Sequence, residues 1–116
     1  MGLKFMDNMK DDKYYLGKIV LDLQFLIEHT KGKTYDEIEA DPVLVDSIMF
    51  RLVQVAENSD KLTTTFKTEH KELPWREIKG MRNRIVHDYG FIDLTIIYDT
   101  VVHGIPGMYE QLEKLL

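Results

Sequence analysis

Apolar side chains recur every three or four residues along almost the whole chain, and this spacing limits the fold more than any other feature of the sequence. It is the period of an amphipathic helix, and no stretch keeps the two-residue alternation of a strand for long. The first such helix starts near Asp7 or Asp11 and ends at the turn of Gly32. Its apolar positions are Leu16, Ile19, Val20, Leu23, Leu26 and Ile27. We therefore expect an all-α bundle of about five helices.

Capping residues indicate where the next helices begin. Thr34 and Glu37 have the spacing of a capping box, which predicts a short helix. Asp41 can cap a second long helix, with Pro42 in its first turn. The apolar positions of this helix are Leu44, Val45, Ile48, Leu52, Val53 and Ala56. The two starts predict a short helix followed closely by a long one.

Residues 58–73 are more polar and include three consecutive threonines, so we expect a frayed helix end that leads into a loop. A shorter helix follows over about residues 75–87. Gly90 is its natural stop. The apolar positions of this helix are Trp75, Ile78, Met81, Ile85 and Val86.

The last third of the chain predicts two further helices. Asp93 can cap a helix that runs through Val102 and is ended by Gly104. Pro106 then opens a short helix toward Leu116. We see no linker, internal repeat or low-complexity tract, so we expect residues 1–116 to form one domain.

Composition excludes several classes of protein. The chain has no cysteine, which removes thiolate nucleophiles, cysteine-ligated zinc and disulfides. Its longest apolar runs are too short to cross a bilayer, and residues 1–10 lack the pattern of a signal peptide. From these features we expect a soluble, cytoplasmic protein.

Charge is unevenly distributed along the chain. The formal net charge is −5, but residues 61–87 carry seven basic against three acidic side chains, a local balance of +4. Affinity for a phosphate backbone comes mainly from such lysines and arginines. The segment could face phosphate, or it could be an ordinary solvated helix face.

The octet of residues 82–89, Arg-Asn-Arg-Ile-Val-His-Asp-Tyr, holds more potential chemistry than any other stretch. Arg82 offers a cationic fork suited to phosphate, and His87 is suited to proton transfer near neutral pH. On an ideal helix Asn83 and His87 share a face, whereas Arg82 and His87 lie about 140° apart. An irregular last turn, or a symmetric dimer with two octets on one cleft, would bring them to one ligand. Tyr89 returns to the face of Arg82 if the helical geometry continues.

The octet and the residues around it resemble the HEPN superfamily, and more closely its HepT branch, the toxin half of the MNT-HepT toxin-antitoxin systems. The similar elements are a Thr-x-Gly turn at residues 30–32, a Leu-Pro-Trp-x-x-Ile-x-Gly-Met-Arg-Asn run at residues 73–83, His-Asp-Tyr at residues 87–89, and Pro106. They cover most of the chain. The sequence differs where many relatives have Gly-Glu-Ala, because residues 55–59 read Val-Ala-Glu-Asn-Ser.

The resemblance implies a single HepT-like HEPN domain, a homodimer, and a metal-independent endoribonuclease site between two subunits, with no cofactor. His87 would act as general base on a ribose 2′-hydroxyl or as general acid on the leaving oxygen. Arg82 would stabilise the phosphoryl oxygens, and Asn83 would orient the imidazole or the phosphate. Tyr89 would be the residue that a partner nucleotidyltransferase, the MNT-type antitoxin, modifies with AMP to silence the toxin. RNA would be the substrate.

Three functions from different classes remain open. The first is this ribonuclease toxin of a type VII-like toxin-antitoxin system. The second is a non-catalytic helical module that binds a nucleotide or presents a substrate to a nucleotidyltransferase. The third is a structural dimerisation bundle, in which Arg82 only favours the helix dipole and Tyr89 only packs. His29, His70 and His103 have no partner at metal-ligand spacing, so we expect no metal site.

Overall fold

The computed structural model describes residues 11–116, and within that range every regular element is helical. The α-helices are α1 Asp12–Thr30, α2 Tyr35–Glu39, α3 Pro42–Asp60, α4 Thr64–Glu69, α5 Trp75–Asp88, α6 Leu94–Asp99 and α7 Ile105–Glu113. A 3₁₀ turn, Tyr89–Phe91, follows α5, and a π-helical turn, Thr100–Gly104, joins α6 to α7. The all-α prediction is therefore confirmed. The alternative start near Asp7 and the signal-peptide expectation lie outside the described residues.

The bundle is built around α3, which packs antiparallel against α1 on one side and against α5 on another. The last helix, α7, packs on α1 and closes the core. The side chains that are almost completely buried come from α1, α2, α3, α6, the π turn and α7. They are Ile19, Leu23, Leu26, Ile38, Ile48, Val55, Ile97, Val101 and Leu112. No helix among residues 11–116 is long and apolar enough to cross a membrane.

The predicted helix caps are confirmed. Thr34 and Glu37 form a reciprocal capping box, with hydrogen bonds of 3.2 Å and 2.9 Å between each side chain and the other residue's backbone N–H. The Asp41 carboxylate accepts a hydrogen bond of 3.1 Å from the N–H of Leu44, and Pro42 is the first residue of α3. Asp93 caps α6 in the same way. These side chains satisfy backbone donors that have no partner inside the helix.

The expectation that residues 58–73 form a frayed helix end and a loop is wrong for residues 58–60 and 64–69, which are helical. Helix α3 continues to Asp60, and α4 forms soon afterwards. Thr63 caps α4 by accepting a hydrogen bond of 3.1 Å from the N–H of Phe66. The N–H and hydroxyl of Thr63 also donate to the carboxylate of Asp12, at 2.8 Å and 2.7 Å. The first threonine of the run is therefore a helix start that is fixed to the beginning of α1.

The expectation that Gly104 ends a helix is also wrong, because the helical path continues through the π turn. The N–H of Ile105 donates to the carbonyl of Thr100, five residues earlier. Pro106 has no N–H, so a regular α-helix here would leave one carbonyl without its usual partner. A single π turn lets the chain pass this position without ending the helix. The glycine prediction holds at Gly32, whose φ of 73° is left-handed and follows the end of α1.

Candidate active site

The octet occupies the last turns of α5 and the start of the 3₁₀ turn. The one α5 side chain classed as buried is Ile85, which is 3% exposed and belongs to the hydrophobic core. It fixes the rotation of the helix. Asn83 and His87 are consequently exposed, and Arg82 is partly buried. The predicted site residues thus lie on a surface that a large ligand can reach.

Arg82 is held in place by two hydrogen bonds. Its Nε donates to Oε1 of Glu57 on α3 at 2.9 Å, and its Nη1 donates to Oδ1 of Asn83 at 3.1 Å. The Arg82 side chain is 34% exposed and that of Glu57 is 44% exposed. A guanidinium has five N–H donors, and these two bonds leave the others for an incoming anion. Glu57 therefore orients the cation without using up its capacity to bind phosphate.

Asn83 does not make the contact with His87 that the helical spacing allows. Among residues 11–116, its side-chain amide forms a hydrogen bond with Arg82, in which Oδ1 is the acceptor. A charged donor one residue away forms a stronger hydrogen bond than a neutral imidazole would. In this chain Asn83 thus helps to orient Arg82.

His87 is exposed in the last turn of α5, and its imidazole has no hydrogen-bond partner among the described residues. It is not bonded to Arg82 or to Asn83. The structure therefore places Arg82 and His87 on one helix end without a hydrogen bond between them. A substrate, or a second copy of the chain, would have to bridge them.

Tyr89 begins the 3₁₀ turn, and its phenol donates a hydrogen bond to the carboxylate of Asp46 on α3. Tyr89 remains 48% exposed. This hydrogen bond to Asp46 is the main reason that the pKa of the Tyr89 phenol is raised, and partial burial adds to the effect. Arg82 and Tyr89 both reach α3, in agreement with the face that their seven-residue spacing predicts.

Sequence reasoning did not identify the two carboxylates of α3 that hold the octet. Asp46 and Glu57 are eleven residues apart, which is close to three helical turns and places them on one face of α3. Arg82 and Tyr89 are two turns apart on the antiparallel helix. These spacings predict that the two carboxylates face Arg82 and Tyr89, but only if α3 and α5 are already known to pack against each other.

Exposed apolar side chains occur on α3 and in and directly after the octet. Val43 is 75% exposed and Phe50 is 59% exposed, both on α3. Val86 on α5 is 49% exposed, and Phe91 in the 3₁₀ turn is 95% exposed. Large apolar side chains clustered at a surface commonly mark a contact with another protein. The octet therefore lies beside a surface suited to association.

The basic segment contributes cationic side chains along α5. Arg76, Lys79 and Arg84 are exposed and form no ion pair with the described residues. Arg82, by contrast, is partly neutralised by Glu57. The exposed cations lie on the helix that carries His87, where they can attract a polyanion.

The largely apolar cavity of the bundle is separate from the octet. A cavity of about 390 Å³ lies between α3, α5 and the π turn, and its lining includes Met81 and Met108 but no residue of the octet. Its walls are mainly apolar, and its ionisable lining residues are Glu77, Asp99 and His103, with no lysine or arginine to bind a phosphate. Within residues 11–116, no three His, Asp or Glu side chains are grouped so that they could hold a metal ion.

An all-α bundle that presents Arg82, His87 and Tyr89 at the end of one helix has the architecture of a HEPN-type domain. The family described as Ribonuclease HepT-like matches residues 19–115. The chain therefore belongs to the HepT-like ribonuclease family.

Individual relatives agree with this assignment. A protein of Caldanaerobacter subterraneus subsp. tengcongensis, whose name gives it as a candidate RNase, is 33% identical over 93% of this chain and 96% of its own. A Thermococcus cleftensis protein named as a probable ribonuclease HepT is 28% identical over 91% of this chain and 96% of its own.

A third relative is longer than this chain. A Methanocaldococcus jannaschii protein, named both a gamma-glutamylcyclotransferase and a candidate RNase, is 29% identical over 92% of this chain but only 48% of its own length. This chain thus corresponds to about half of that protein. No solved structure matches the chain.

Proposed function

We propose that this protein is an endoribonuclease that cleaves RNA without a metal ion, by attack of a ribose 2′-hydroxyl on the adjacent phosphodiester. The observation that carries the proposal is the state of the octet. Arg82 is oriented by Glu57 yet keeps unused donors, and the exposed imidazole of His87 on the same helix end has no partner. A bound phosphodiester would supply acceptor oxygens for the unused donors of Arg82 and a partner for the imidazole of His87.

In this reaction the 2′-oxygen forms a bond to phosphorus while the bond from phosphorus to the 5′-oxygen breaks. His87 takes the proton from the 2′-hydroxyl or gives one to the leaving 5′-oxygen, a transfer that typically contributes about 10² to 10⁴ in rate. Arg82 stabilises the charge that develops on the phosphoryl oxygens. Asn83 keeps the guanidinium directed toward the phosphate. The products carry a 2′,3′-cyclic phosphate and a 5′-hydroxyl.

The proposal includes a homodimer. In one protomer Arg82 and His87 are not bonded to each other, so a second octet across a cleft would complete the site. Val86 in the octet and Phe91 just after it are exposed apolar side chains that a second copy could cover. A symmetric contact would place the same surface on both copies, as most homodimers do.

The biological role that fits this site is the toxin half of a type VII-like toxin-antitoxin system. In this role an MNT-type nucleotidyltransferase would transfer AMP to Tyr89. The phenol is half exposed and lies on the same side of α5 as Arg82. A bulky anionic nucleotide there would occupy the position of the substrate phosphate and pair with the same cation. Modification would then act as covalent competitive inhibition.

The test is RNA cleavage by the purified protein in the presence of a chelator, after intact mass has shown that Tyr89 carries no nucleotide. His87→Ala is compared with His103→Ala, because His103 is also an exposed helical histidine. The proposal expects cyclic-phosphate ends from the wild type and from His103→Ala, and a loss of at least about 10² in rate for His87→Ala.

The opposite result has a definite meaning. If the unmodified dimer cleaves none of several RNAs, or if His87→Ala cleaves as fast as the wild type, the ribonuclease proposal is wrong. Retained binding of ATP or RNA by the inactive protein would then favour the non-catalytic module that works with a nucleotidyltransferase. Indifference to every substitution in the octet would favour the structural bundle.

A further inference from the structure

The bond between Tyr89 and Asp46 differs from the other contacts between a tyrosine and a carboxylate in this protein. The phenols of Tyr35 and Tyr109 are paired with Glu39 and Glu113, each four residues further along the same helical stretch. Asp46 comes instead from α3 and is 43 residues away from Tyr89. The position of this carboxylate is therefore fixed by the packing of two helices, and both side chains remain open to a large reagent.

A tyrosine phenol must lose its proton when its oxygen becomes a nucleophile. A tyrosine phenol is protonated at neutral pH, and the hydrogen bond to Asp46 raises the pKa of Tyr89 further above its ordinary value. The proton must then be accepted while the new bond forms, and this requires a base within hydrogen-bond reach. Asp46 faces the phenol from α3, and His87 and Asp88 are the titratable neighbours of Tyr89 in the chain.

We propose that Asp46 is the proton acceptor when the Tyr89 oxygen attacks the α-phosphorus of a nucleoside triphosphate. This inference rests on the proposed modification of Tyr89. A bond forms between the phenolic oxygen and the α-phosphorus, and the bond from that phosphorus to the pyrophosphate oxygen breaks. Pyrophosphate leaves, and the phenolic proton passes to the carboxylate of Asp46 and then to solvent. The target protein thus supplies part of the machinery for its own modification.

The same geometry also explains why the modified side chain would not stay where the phenol was. After transfer the oxygen has no proton to donate, so the bond to Asp46 is lost. The attached phosphate is anionic and is repelled by the regenerated carboxylate. Arg82 lies on the same side of α5, since both side chains bond to carboxylates of α3. Asp46 would therefore both promote the modification and direct its product toward the cation of the site.

The test uses 5′-fluorosulfonylbenzoyl adenosine, a nucleoside with a sulfonyl fluoride that reacts with tyrosine phenols. Labelling of the full chain is followed over time, and the labelled tyrosines are mapped by peptide mass spectrometry. Asp46→Asn removes the proposed acceptor, and Asp46→Glu restores a carboxylate. Glu39→Gln is the matched control, since it neutralises the partner of Tyr35 and leaves Tyr89 untouched. His87→Ala tests the other nearby base.

At neutral pH we expect Asp46→Asn to slow labelling of Tyr89 by about a hundredfold, the lower end of what a positioned base contributes. Labelling of Tyr35 should not change, and Asp46→Glu should recover part of the rate. At high pH the order should reverse, because Tyr89 ionises more easily without the Asp46 charge. A purely structural role would lower the rate at both pH values.

Labelling of Tyr89 at the wild-type rate in Asp46→Asn would overturn the inference, and so would a loss confined to His87→Ala. Neither result depends on RNA cleavage, which is measured separately on the unlabelled wild type. The inference about Asp46 and the ribonuclease proposal can therefore fail independently. Circular dichroism of each variant confirms that the fold is retained before the rates are compared.

Discussion

Two ion pairs among the described residues connect α3 to its neighbours, and they differ in how exposed the carboxylate is. On the side of α1, Arg51 pairs with Asp22 at 2.8 Å, and the guanidinium also lies 4.0 Å from the ring centre of Phe25. The Asp22 side chain is only 12% exposed. On the side of α5, Arg82 pairs with Glu57 at 2.9 Å in a more open position.

The difference between the two pairs separates support from function. Asp22 is largely buried and Arg51 also packs on the ring of Phe25, so this pair holds two helices together. Around Arg82, donors remain unused, His87 has no partner and Tyr89 is half exposed. A surface that keeps oriented but unsatisfied polar groups is prepared for a ligand. We therefore propose that the Arg51–Asp22 pair supports the fold and that the Arg82–Glu57 pair supports activity.

The largest effect that we expect is the loss of RNA cleavage when Arg82 is replaced, and this variant tests the comparison most strongly. Arg82→Ala should reduce RNA cleavage by about 10² to 10³, the loss seen when one oriented donor to a developing anion is removed. The free energy of unfolding should fall by only about 0–1 kcal/mol, because the ion pair is partly exposed. Cleavage rates and urea unfolding measure the two quantities. A stability loss that accounts for the whole drop in activity would contradict the account.

Arg51→Ala should give the opposite pattern. It leaves the Asp22 carboxylate largely buried without its partner, and we expect a loss of about 1–3 kcal/mol in the free energy of unfolding, between the values for exposed and buried pairs. Cleavage per folded molecule should be unchanged. Urea unfolding and cleavage at a temperature where the variant is folded provide the measurements. Unchanged stability would show that the α1 contact is not a supporting pair.

A smaller effect is expected at Glu57, which positions Arg82 rather than touching the substrate. Glu57→Gln keeps an acceptor but removes the charge that fixes the guanidinium. We expect kcat to fall about tenfold, equivalent to about 1.4 kcal/mol, without an increase in KM. Glu69→Gln on α4 is the exposed control. A higher KM with unchanged kcat would instead place Glu57 in substrate binding.

The smallest effect concerns the titration of Tyr89. Because the Asp46 bond raises the pKa of the phenol above its ordinary value of 10.0, the bond stabilises the fold while the phenol is protonated. This stabilisation is lost as the pH rises above about 10 through the raised pKa. Asp46→Asn should lower the pKa of Tyr89 toward its ordinary value. NMR of ring-labelled tyrosine, with Tyr89→Phe for assignment, measures the change; an unaltered titration would exclude the interaction.

The sequence predicted the parts of this structure that depend on local chemistry. Thr34, Asp41 and Asp93 cap helices as expected, since a cap needs only the residues that follow it. The π turn was missed because its bond pattern depends on a proline two residues beyond it. Helix α4 was missed because Thr63 looked like part of a polar loop. Its hydrogen bonds to Asp12, the first residue of α1, could not be seen in the sequence, since the two residues are far apart in the chain.

The candidate site shows the same division. The octet is contiguous, so its chemistry and its place at a helix end could be recognised from residue types and spacing. Asp46 and Glu57 could not, since their importance depends on the register between α3 and α5. Glu57 lies in residues 55–59, where we expected a departure from the Gly-Glu-Ala pattern of the HepT branch. In this chain that segment provides the carboxylate that orients Arg82.

We propose above all that Arg82, oriented by Glu57, stabilises the phosphodiester while a ribose 2′-hydroxyl attacks it. The most direct test compares one RNA with the same RNA carrying a 2′-deoxynucleotide at the mapped cleavage position, in the presence of a chelator. The account predicts that the all-ribose strand is cut to a 2′,3′-cyclic phosphate and that the substituted position stays intact. Cleavage at the substituted position, or products without a cyclic phosphate, would contradict it.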